Sequence, residues 1–265
     1  MRAELTGFPS IDKLWLKYYG EEVLHRPLPE GSMYDYLTSC NVDRLDSVAL
    51  NYFGKKVTYR HMQEKIDACA RALTAYGVRA GDAVSLCVLA MPEAVYLLYA
   101  INKIGAIANM LVMNATEAEI HEKLAVTESK VVITVDLALE KIVQASRETT
   151  VKHIIGVSLA ESMPCVIGTL YKWKSKIKQE NCILFSEFLK AGQGKKIDCQ
   201  EIKGDAPAVI AYTGGTTGKA KGVLLSNRAA NTIAFQYKYA DKVLDFQKGE
   251  SFLDTIPPFL AYGLF

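Results

Sequence analysis

Apolar residues along the chain recur with two different spacings, and these spacings alternate between residues 83 and 157. Short apolar runs predict strands at 83–89, 106–111, 131–135 and 153–157. Between them, apolar positions three to four residues apart predict helices at 92–104, 116–127 and 137–146. Strands joined by helices of this length imply right-handed crossovers and a mainly parallel sheet. The pattern therefore predicts an α/β fold with helices on both faces of the sheet.

The segment before residue 83 predicts helices and one hairpin. Helical spacing runs from 11 to 19, and a second short helix begins after Ser32, a residue type that caps helices well. Two apolar runs on either side of Gly54 predict a hairpin at 47–59. A longer helix follows and ends at Gly77.

Residues 159–205 interrupt the alternation, so we interpret them as an excursion between two core strands. They include Pro164 and a lysine-rich stretch at 171–180, for which a solvated face is the favoured interpretation. A membrane-surface or acyl-chain entry role is the alternative. After the excursion, the pattern predicts strands at 207–213, 222–226 and 251–257 and a helix at 227–240.

Composition and charge narrow the classes of function. Half of the 265 residues are hydrophobic, and 31 basic against 29 acidic residues leave a net charge of +2, so no basic field for nucleic acid is indicated. Six separated cysteines form no Cys-x-x-Cys pair, so we expect reduced, structural thiols and no metal site. The apolar region 83–113 is interrupted by charged and polar residues, which argues against a membrane span. Charges near the N-terminus argue against a secretory signal, so the expected location is the cytoplasm.

The glycine-rich turn AYTGGTTGKAKGVLLSN, at 211–227, carries the candidate chemistry. Glycines let a ligand approach the backbone, and backbone N–H groups, hydroxyls and lysines suit an anion with several oxygens, such as phosphate. The Walker pattern fails because Thr213 and Ala220 stand where it needs Gly and Ser or Thr. The dinucleotide pattern Gly-x-Gly-x-x-Gly fails because Gly214 and Gly215 are adjacent. A dehydrogenase-type domain is therefore disfavoured.

The string YTGGTTGKAKGV instead resembles the phosphate-binding signature of the adenylate-forming superfamily, usually written Tyr-Thr-Ser-Gly-Thr-Thr-Gly-x-Pro-Lys-Gly-Val. The chain departs from it at Gly214 and Ala220, and both departures resemble the long-chain fatty acyl-CoA synthetase branch. The stretch 57–111 also looks like the N-terminal part of this superfamily, so the resemblance spans roughly residues 30–265.

The resemblance implies a set of ligand-contacting residues. The residues expected to wrap the β- and γ-phosphates of ATP are Thr213, Gly214, Gly215, Thr216, Thr217, Gly218 and Lys221. Lys219 occupies a variable position and is expected to face solvent, while Tyr212 is expected to pack in its strand. The segment IPPFLAYGLF resembles an acyl-pocket segment, whose expected lining residues are Phe259, Leu260, Tyr262 and Gly263. Leu260 stands where the superfamily often has His, so no polar gate is expected there.

The resemblance also implies a reaction and an organisation. It implies an ATP-dependent carboxylate–CoA ligase that uses ATP, Mg²⁺ and coenzyme A on an apolar acid. The segments for adenine, ribose, magnesium and the catalytic lysine are expected downstream, so no catalytic residue is expected in this chain. We therefore expect the first half of such an enzyme, as an excised fragment or a truncated gene product that is inactive alone.

In this organisation, residues 58–226 form a nearly complete lobe, and residues 1–57 and 227–265 belong to an incomplete second lobe that drives self-association. Two alternatives stay open. One is a fragment of an amino-acid adenylation domain, and the other is a non-catalytic truncated paralogue that binds a nucleotide or a partner chain. No histidine, at 25, 61, 121 or 153, is assigned a catalytic role.

Overall fold

The computed structural model describes residues 5–17, 25–174, 182–197, 200–213, 220–239, 249–254 and 256–260, without the side chains of 165, 166, 172–174 and 238. Within these residues the strands are β1 Val48–Tyr52, β2 Lys55–Thr58, β3 Ala83–Cys87, β4 Ile107–Met110, β5 Val131–Val135, β6 His153–Val157, β7 Ile183–Leu184, β8 Pro207–Tyr212 and β9 Gly222–Ser226. The α-helices are α1 Pro9–Asp12, α2 Met33–Cys40, α3 Tyr59–Ala75, α4 Pro92–Lys103, α5 Glu117–Thr127, α6 Leu139–Ala145, α7 Cys165–Lys174, α8 Phe185–Ala191 and α9 Asn227–Tyr239. Two short 3-10 helices occupy Leu14–Lys17 and Asp136–Ala138.

The central sheet has seven described strands in the order β7-β6-β5-β3-β4-β8-β9. The pairings from β7 to β8 are all parallel, and β9 is antiparallel to β8. Strands β1 and β2 form a separate antiparallel hairpin around Gly54, as the sequence predicts. The predicted α/β class with a mainly parallel sheet is confirmed.

Helices cover both faces of this sheet. Helix α3 packs against α4 and α8, whereas α5 packs against α6. The connection through α4 leads from β3 towards β8, whereas the connections through α5 and α6 lead in the opposite direction, towards β7. Right-handed connections that run in opposite directions along a sheet place their helices on opposite faces. Buried strand residues such as Val84, Leu86 and Ile133 fill the space between the layers.

The helix starts have identifiable causes in the sequence. The predicted cap Ser32 accepts a hydrogen bond from the Asp35 N–H, and the Asp35 carboxylate accepts one from the Ser32 N–H in return. Thr116 and Glu119 form the same reciprocal arrangement at the start of α5. These bonds satisfy N–H groups that the first helical turn leaves free, which fixes where each helix begins.

A buried amide network joins the beginning of α9 to the N-terminal part of the chain. The Asn227 Oδ1 accepts from the Met33 N–H at 3.0 Å and from the Asn102 amide at 2.6 Å. The Asn227 amide donates to the Ala206 carbonyl at 2.9 Å. Asn227 is fully buried, so these bonds replace all of its contact with water and fix α9 against α2 and α4.

The interpretation of 159–205 as an excursion between two core strands is wrong in part, because the segment itself supplies a strand of the central sheet. Residues Ile183–Leu184 pair in parallel with β6 and extend the sheet. Phe188 of α8 is fully buried and stacks on Tyr76, with ring centroids 5.6 Å apart. Apolar residues at 183–185 and 188 supply enough buried surface to bring this part of the segment back to the sheet.

Two further predictions differ from the structure. The predicted strand 251–257 is absent over 251–254, where Phe252 and Leu253 are about four-fifths exposed. No described strand pairs with this segment. Without a neighbouring strand, the backbone N–H and C=O groups of an extended run have no hydrogen-bond partners in the protein. The predicted helix 11–19 is broken at Lys13, whose positive φ of 47° ends α1; residues 18 and 19 lie outside the described part of the chain.

Candidate functional site

The predicted phosphate loop connects the last two strands of the central sheet. Strand β8 is parallel to β4 and ends at Tyr212, so the loop begins at the carboxyl edge of the parallel strands. Strand β9 begins at Gly222 and returns antiparallel beside β8. Ligands of open α/β sheets bind at this carboxyl edge, because the loops that follow the strands gather there.

The two ends of the loop lie side by side. The Thr213 N–H donates to the Lys221 carbonyl at 3.0 Å, directly beyond the pair formed by Tyr212 and Gly222. Both Thr213 and Lys221 are exposed, so a hydroxyl and an ammonium group are available to a ligand at the hairpin base. Of the seven predicted phosphate-binding residues, the structure therefore describes these two and brings them together. The other five, Gly214–Gly218, and Lys219 lie outside the described residues.

Gly222 has a packing reason to be glycine. A Cβ atom at this position would lie 3.2 Å from the Ile210 Cγ2 and 3.2 Å from the Tyr212 Cε1. Contacts this short force the neighbouring side chains to move. The glycine of the Lys-Gly pair therefore lets the Tyr212 ring lie against the opposite strand.

Tyr212 packs in its strand, as the sequence predicts, and is the last residue of β8. Its hydroxyl donates to the Asn109 Oδ1 at 2.9 Å, and the Lys123 Nζ lies 4.3 Å from the centre of its ring. Burial raises the pKa of Tyr212 to about 12, so the hydroxyl keeps its proton and stays a donor at physiological pH. Sequence reasoning did not single out Asn109 or Lys123; the available signal was a polar Asn109 inside the apolar run AIANML.

The predicted acyl-pocket residues are described in part. Phe259 is half-buried and packs against the main hydrophobic core. Leu260 is 45% exposed, and its N–H donates to the Pro257 carbonyl at 3.0 Å in a turn. Tyr262 and Gly263 lie outside the described residues, so the pocket stays a prediction.

Three of the four histidines have contacts with residues outside the hairpin base. The His61 ring lies 3.2 Å from the Glu64 carboxylate on an exposed helix surface. The His121 Nδ1 lies 3.0 Å from the Ala145 carbonyl, and the His153 ring meets Tyr76 edge to face at 5.0 Å.

Among the cysteines that the structure describes, two are deeply buried. Cys69 and Cys87 lie in the core, and burial raises the pKa of both thiols, that of Cys87 to about 11. High pKa values keep these thiols protonated and unreactive, as expected of structural cysteines. The described residues contain no group of three or more His, Cys, Asp or Glu side chains that could hold a metal ion. Among the same residues, no helix combines the length and the apolar character needed to cross a membrane.

The sequence pattern does not indicate the buried carboxylate of Glu93. Glu93 is 2% exposed in the first turn of α4, just after the carboxyl end of β3. Its Oε1 accepts from the Ser162 hydroxyl, whereas its Oε2 has no hydrogen-bond partner. Burial raises the pKa of Glu93 above its ordinary value, against the opposing effect of the Ser162 hydroxyl.

Sequence comparison gives relatives named as CoA ligases and acetyl-coenzyme A synthetases. The chain is 29% identical over 262 residues to the long-chain-fatty-acid–CoA ligase of Bacillus subtilis strain 168, covering 95% of this chain and 46% of the relative. It is 27% identical over 228 residues to acetyl-coenzyme A synthetase 1 of Pseudomonas aeruginosa PAO1, covering 80% of this chain and 33% of the relative. The chain thus spans about half the length of the first relative and about a third of the second.

Structural comparison agrees on the fold. A benzoate CoA ligase from Burkholderia xenovorans LB400 superposes with a TM-score of 0.64 at 20% identity, covering 88% of this chain and 42% of that one. The profile of the family described as AMP-binding enzyme matches residues 38–265. This match covers most of the chain and includes the hairpin that carries Thr213 and Lys221. The chain therefore belongs to the AMP-binding enzyme family.

Proposed function

We propose that this chain is the ATP-phosphate-binding part of an ATP-dependent carboxylate–CoA ligase. In the proposed reaction, a carboxylate oxygen attacks the α-phosphorus of ATP, the bond to the β-phosphate oxygen breaks, and pyrophosphate leaves. The thiol of coenzyme A then displaces AMP from the acyl adenylate. The observation that carries the proposal is the paired base of the glycine-rich hairpin, Thr213 and Lys221, at the carboxyl edge of the sheet.

The proposed role of the loop is to hold the β- and γ-phosphates. The exposed Thr213 hydroxyl and Lys221 ammonium, together with the backbone N–H groups of Gly214–Gly218, would donate to phosphate oxygens. Donors fixed before the reaction stabilise negative charge as it develops on the leaving pyrophosphate. This donor set suits an anion, and the residues that would hold Mg²⁺ are proposed to lie in downstream segments; when bound, Mg²⁺ would supply positive charge that offsets phosphate repulsion.

A long-chain or otherwise apolar acid is the proposed substrate. The Bacillus relative is a long-chain-fatty-acid–CoA ligase that covers 95% of the chain, and Gly214 and Ala220 resemble the same branch. Phe259, Leu260, Tyr262 and Gly263 are the proposed apolar wall of the acid pocket. In this proposal residues 58–226 form one lobe, and residues 1–57 and 227–265 contribute to a second.

Calorimetric titration with pyrophosphate and with Mg-ATP tests the proposed role of the loop. Lys221→Ala should raise the Kd for pyrophosphate at least about tenfold, because it removes a charge-assisted hydrogen bond. Lys219→Ala is the matched control, since it removes an equal charge two residues away at the position that the motif leaves variable. Equal losses in the two variants would indicate general charge attraction and would contradict the proposed phosphate cradle.

A second measurement separates binding from turnover. Because the chain spans about half of the Bacillus relative, we expect it to bind pyrophosphate but to release none from ATP and a fatty acid. Pyrophosphate release above that of the Lys221→Ala variant would overturn this part of the proposal. Binding of Mg-ATP by the whole protein without adenylate formation from any carboxylic or amino acid would favour the non-catalytic alternative. Adenylate formation with an amino acid alone would favour an amino-acid adenylation domain.

A further inference from the structure

Four residues form a closed ring of contacts at the base of the phosphate loop. The Tyr212 hydroxyl donates to the Asn109 Oδ1 at 2.9 Å, and the Asn109 Nδ2 donates to the Thr127 Oγ1 at 3.2 Å. The Thr127 hydroxyl donates to the carbonyl of Lys123 at 2.8 Å. The Lys123 Nζ closes the ring, 4.3 Å from the centre of the Tyr212 ring. Three elements, β8, β4 and α5, are thereby joined at one point.

The ring is anchored inside the protein. Asn109 is fully buried, and its amide also donates to the Ser85 hydroxyl at 2.7 Å. Ser85 in turn donates to the Ser129 hydroxyl at 2.8 Å, and both serines are fully buried. A buried network with every polar group satisfied is rigid, because any displacement leaves a donor or acceptor unpaired. Tyr212 is therefore held by the centre of the sheet.

Tyr212 is also the last strand residue before the loop. The next residue, Thr213, donates its N–H to the Lys221 carbonyl at 3.0 Å. The Tyr212 ring lies against Gly222 on the opposite strand, where a Cβ would leave only 3.2 Å to the ring. One side chain thus contacts both strands at the point where the loop leaves them.

We propose that Tyr212 is a positioning residue for the phosphate loop, held by Asn109 at its hydroxyl and by Lys123 over its ring. The proposal rests on the proposed function for its ligand, the diphosphate part of a nucleotide. In this role Tyr212 acts through Thr213 and Lys221, the residues at the two ends of the loop. Holding the two loop ends in place reduces the ordering that phosphate binding would otherwise require, which raises affinity.

Hydrogen exchange of the Thr213 amide with solvent, measured by NMR on the 265-residue chain, tests the inference without a ligand. Tyr212→Phe removes the bond to Asn109 and should speed exchange at Thr213 by roughly two- to tenfold, the effect of losing one hydrogen bond locally. Exchange at core amides of β5 should stay unchanged. The same variant should raise the Kd for pyrophosphate by a similar factor.

Tyr34→Phe is the matched control. Tyr34 has the same kind of surroundings, since the Lys103 Nζ lies 4.3 Å from its ring centre and 3.0 Å from its hydroxyl oxygen. It packs beside the end of α4, at the opposite edge of the sheet from the loop. Tyr34→Phe should leave both the Thr213 exchange rate and the pyrophosphate Kd unchanged.

A second variant keeps the test decisive if Tyr212→Phe fails to fold. Lys123→Met keeps the apolar stem of this half-buried residue and removes its charge, so it should speed Thr213 exchange in the same direction by about twofold. Unchanged Thr213 exchange in the folded variants, or equal changes with Tyr34→Phe, would overturn the inference. Faster Thr213 exchange in a chain that does not bind pyrophosphate even as wild type would support the anchoring and contradict the proposed function.

Discussion

The N–H of Thr213 donates to the carbonyl of Lys221 at 3.0 Å, which closes the two ends of a segment eight residues apart in sequence. The backbones of Thr213 and Lys221, both exposed residues, are therefore adjacent at the carboxyl edge of the sheet. The paired strands β8 and β9 hold these two residues at the base of the hairpin.

Asn227→Ala should destabilise the fold strongly. The substitution removes three hydrogen bonds and leaves the Met33 N–H and the Asn102 amide without their shared acceptor in a fully buried site. We expect a loss of about 2–4 kcal/mol in the free energy of unfolding, measured by urea denaturation. Asn41→Ala is the comparison, since the Asn41 amide makes one bond, to the Leu37 carbonyl, in a half-buried site. Equal losses in the two variants would show that the network does not fix α9.

The stability of the Glu93→Gln variant relative to that of wild type should increase as the pH rises. The pKa of Glu93 is raised in the folded protein, so the unfolded state ionises first. Wild type therefore has its full stability below the ordinary pKa of glutamate and loses part of it as the pH rises through the raised value. The difference in Tm between Glu93→Gln and wild type should be larger at about pH 8 than at about pH 5.

Glu119→Gln is the control for this pH dependence. Hydrogen bonds from Thr116 lower the pKa of Glu119, so its contribution to stability is complete above the ordinary pKa of glutamate and is lost as the pH falls from there through the lowered value. The Tm difference for Glu119→Gln should therefore be constant between about pH 5 and about pH 8. A flat profile for Glu93→Gln as well would show that Glu93 stays ionised in the folded protein.

Self-association of the chain should depend on β9. This strand lies at one edge of the described sheet, where Val223 is 41% and Leu224 is 55% exposed. An exposed apolar edge strand can pair with a second copy, and a lysine on such an edge prevents the pairing. In light scattering, Leu224→Lys should weaken association at least about tenfold. Val126→Lys, on the exposed surface of α5, should leave the association unchanged. A wild-type chain that stays monomeric at all concentrations would contradict the prediction.

The alternation of apolar runs was sufficient to predict most of the fold. The predicted strands 83–89 and 131–135 correspond to β3 and β5. They are continuous apolar runs because helices cover both faces of the sheet. The cap at Ser32 was also predictable, because capping depends on residues close in sequence. The sequence pattern failed at 183–191, where two short elements join the sheet through contacts with distant residues such as Tyr76.

The candidate site was predictable only where it consists of a continuous motif. Thr213 and Lys221 follow from the spacing of one short string, and the structure brings them together. Asn109 and Lys123 were missed because their partner Tyr212 is about 90 or more residues away in sequence. Single polar residues in apolar runs, such as Ser85 and Asn109, mark such networks but do not identify their partners.

The central claim is that Thr213–Lys221 binds the diphosphate part of a nucleotide, and NMR titration of the 265-residue chain with pyrophosphate and Mg-ATP tests it most directly. The account predicts saturable shifts of the amide resonances of Thr213, Gly214–Gly218 and Lys221, which Lys221→Ala weakens and Lys219→Ala does not. Amide resonances in this segment that remain unmoved at saturating pyrophosphate and Mg-ATP would contradict the account.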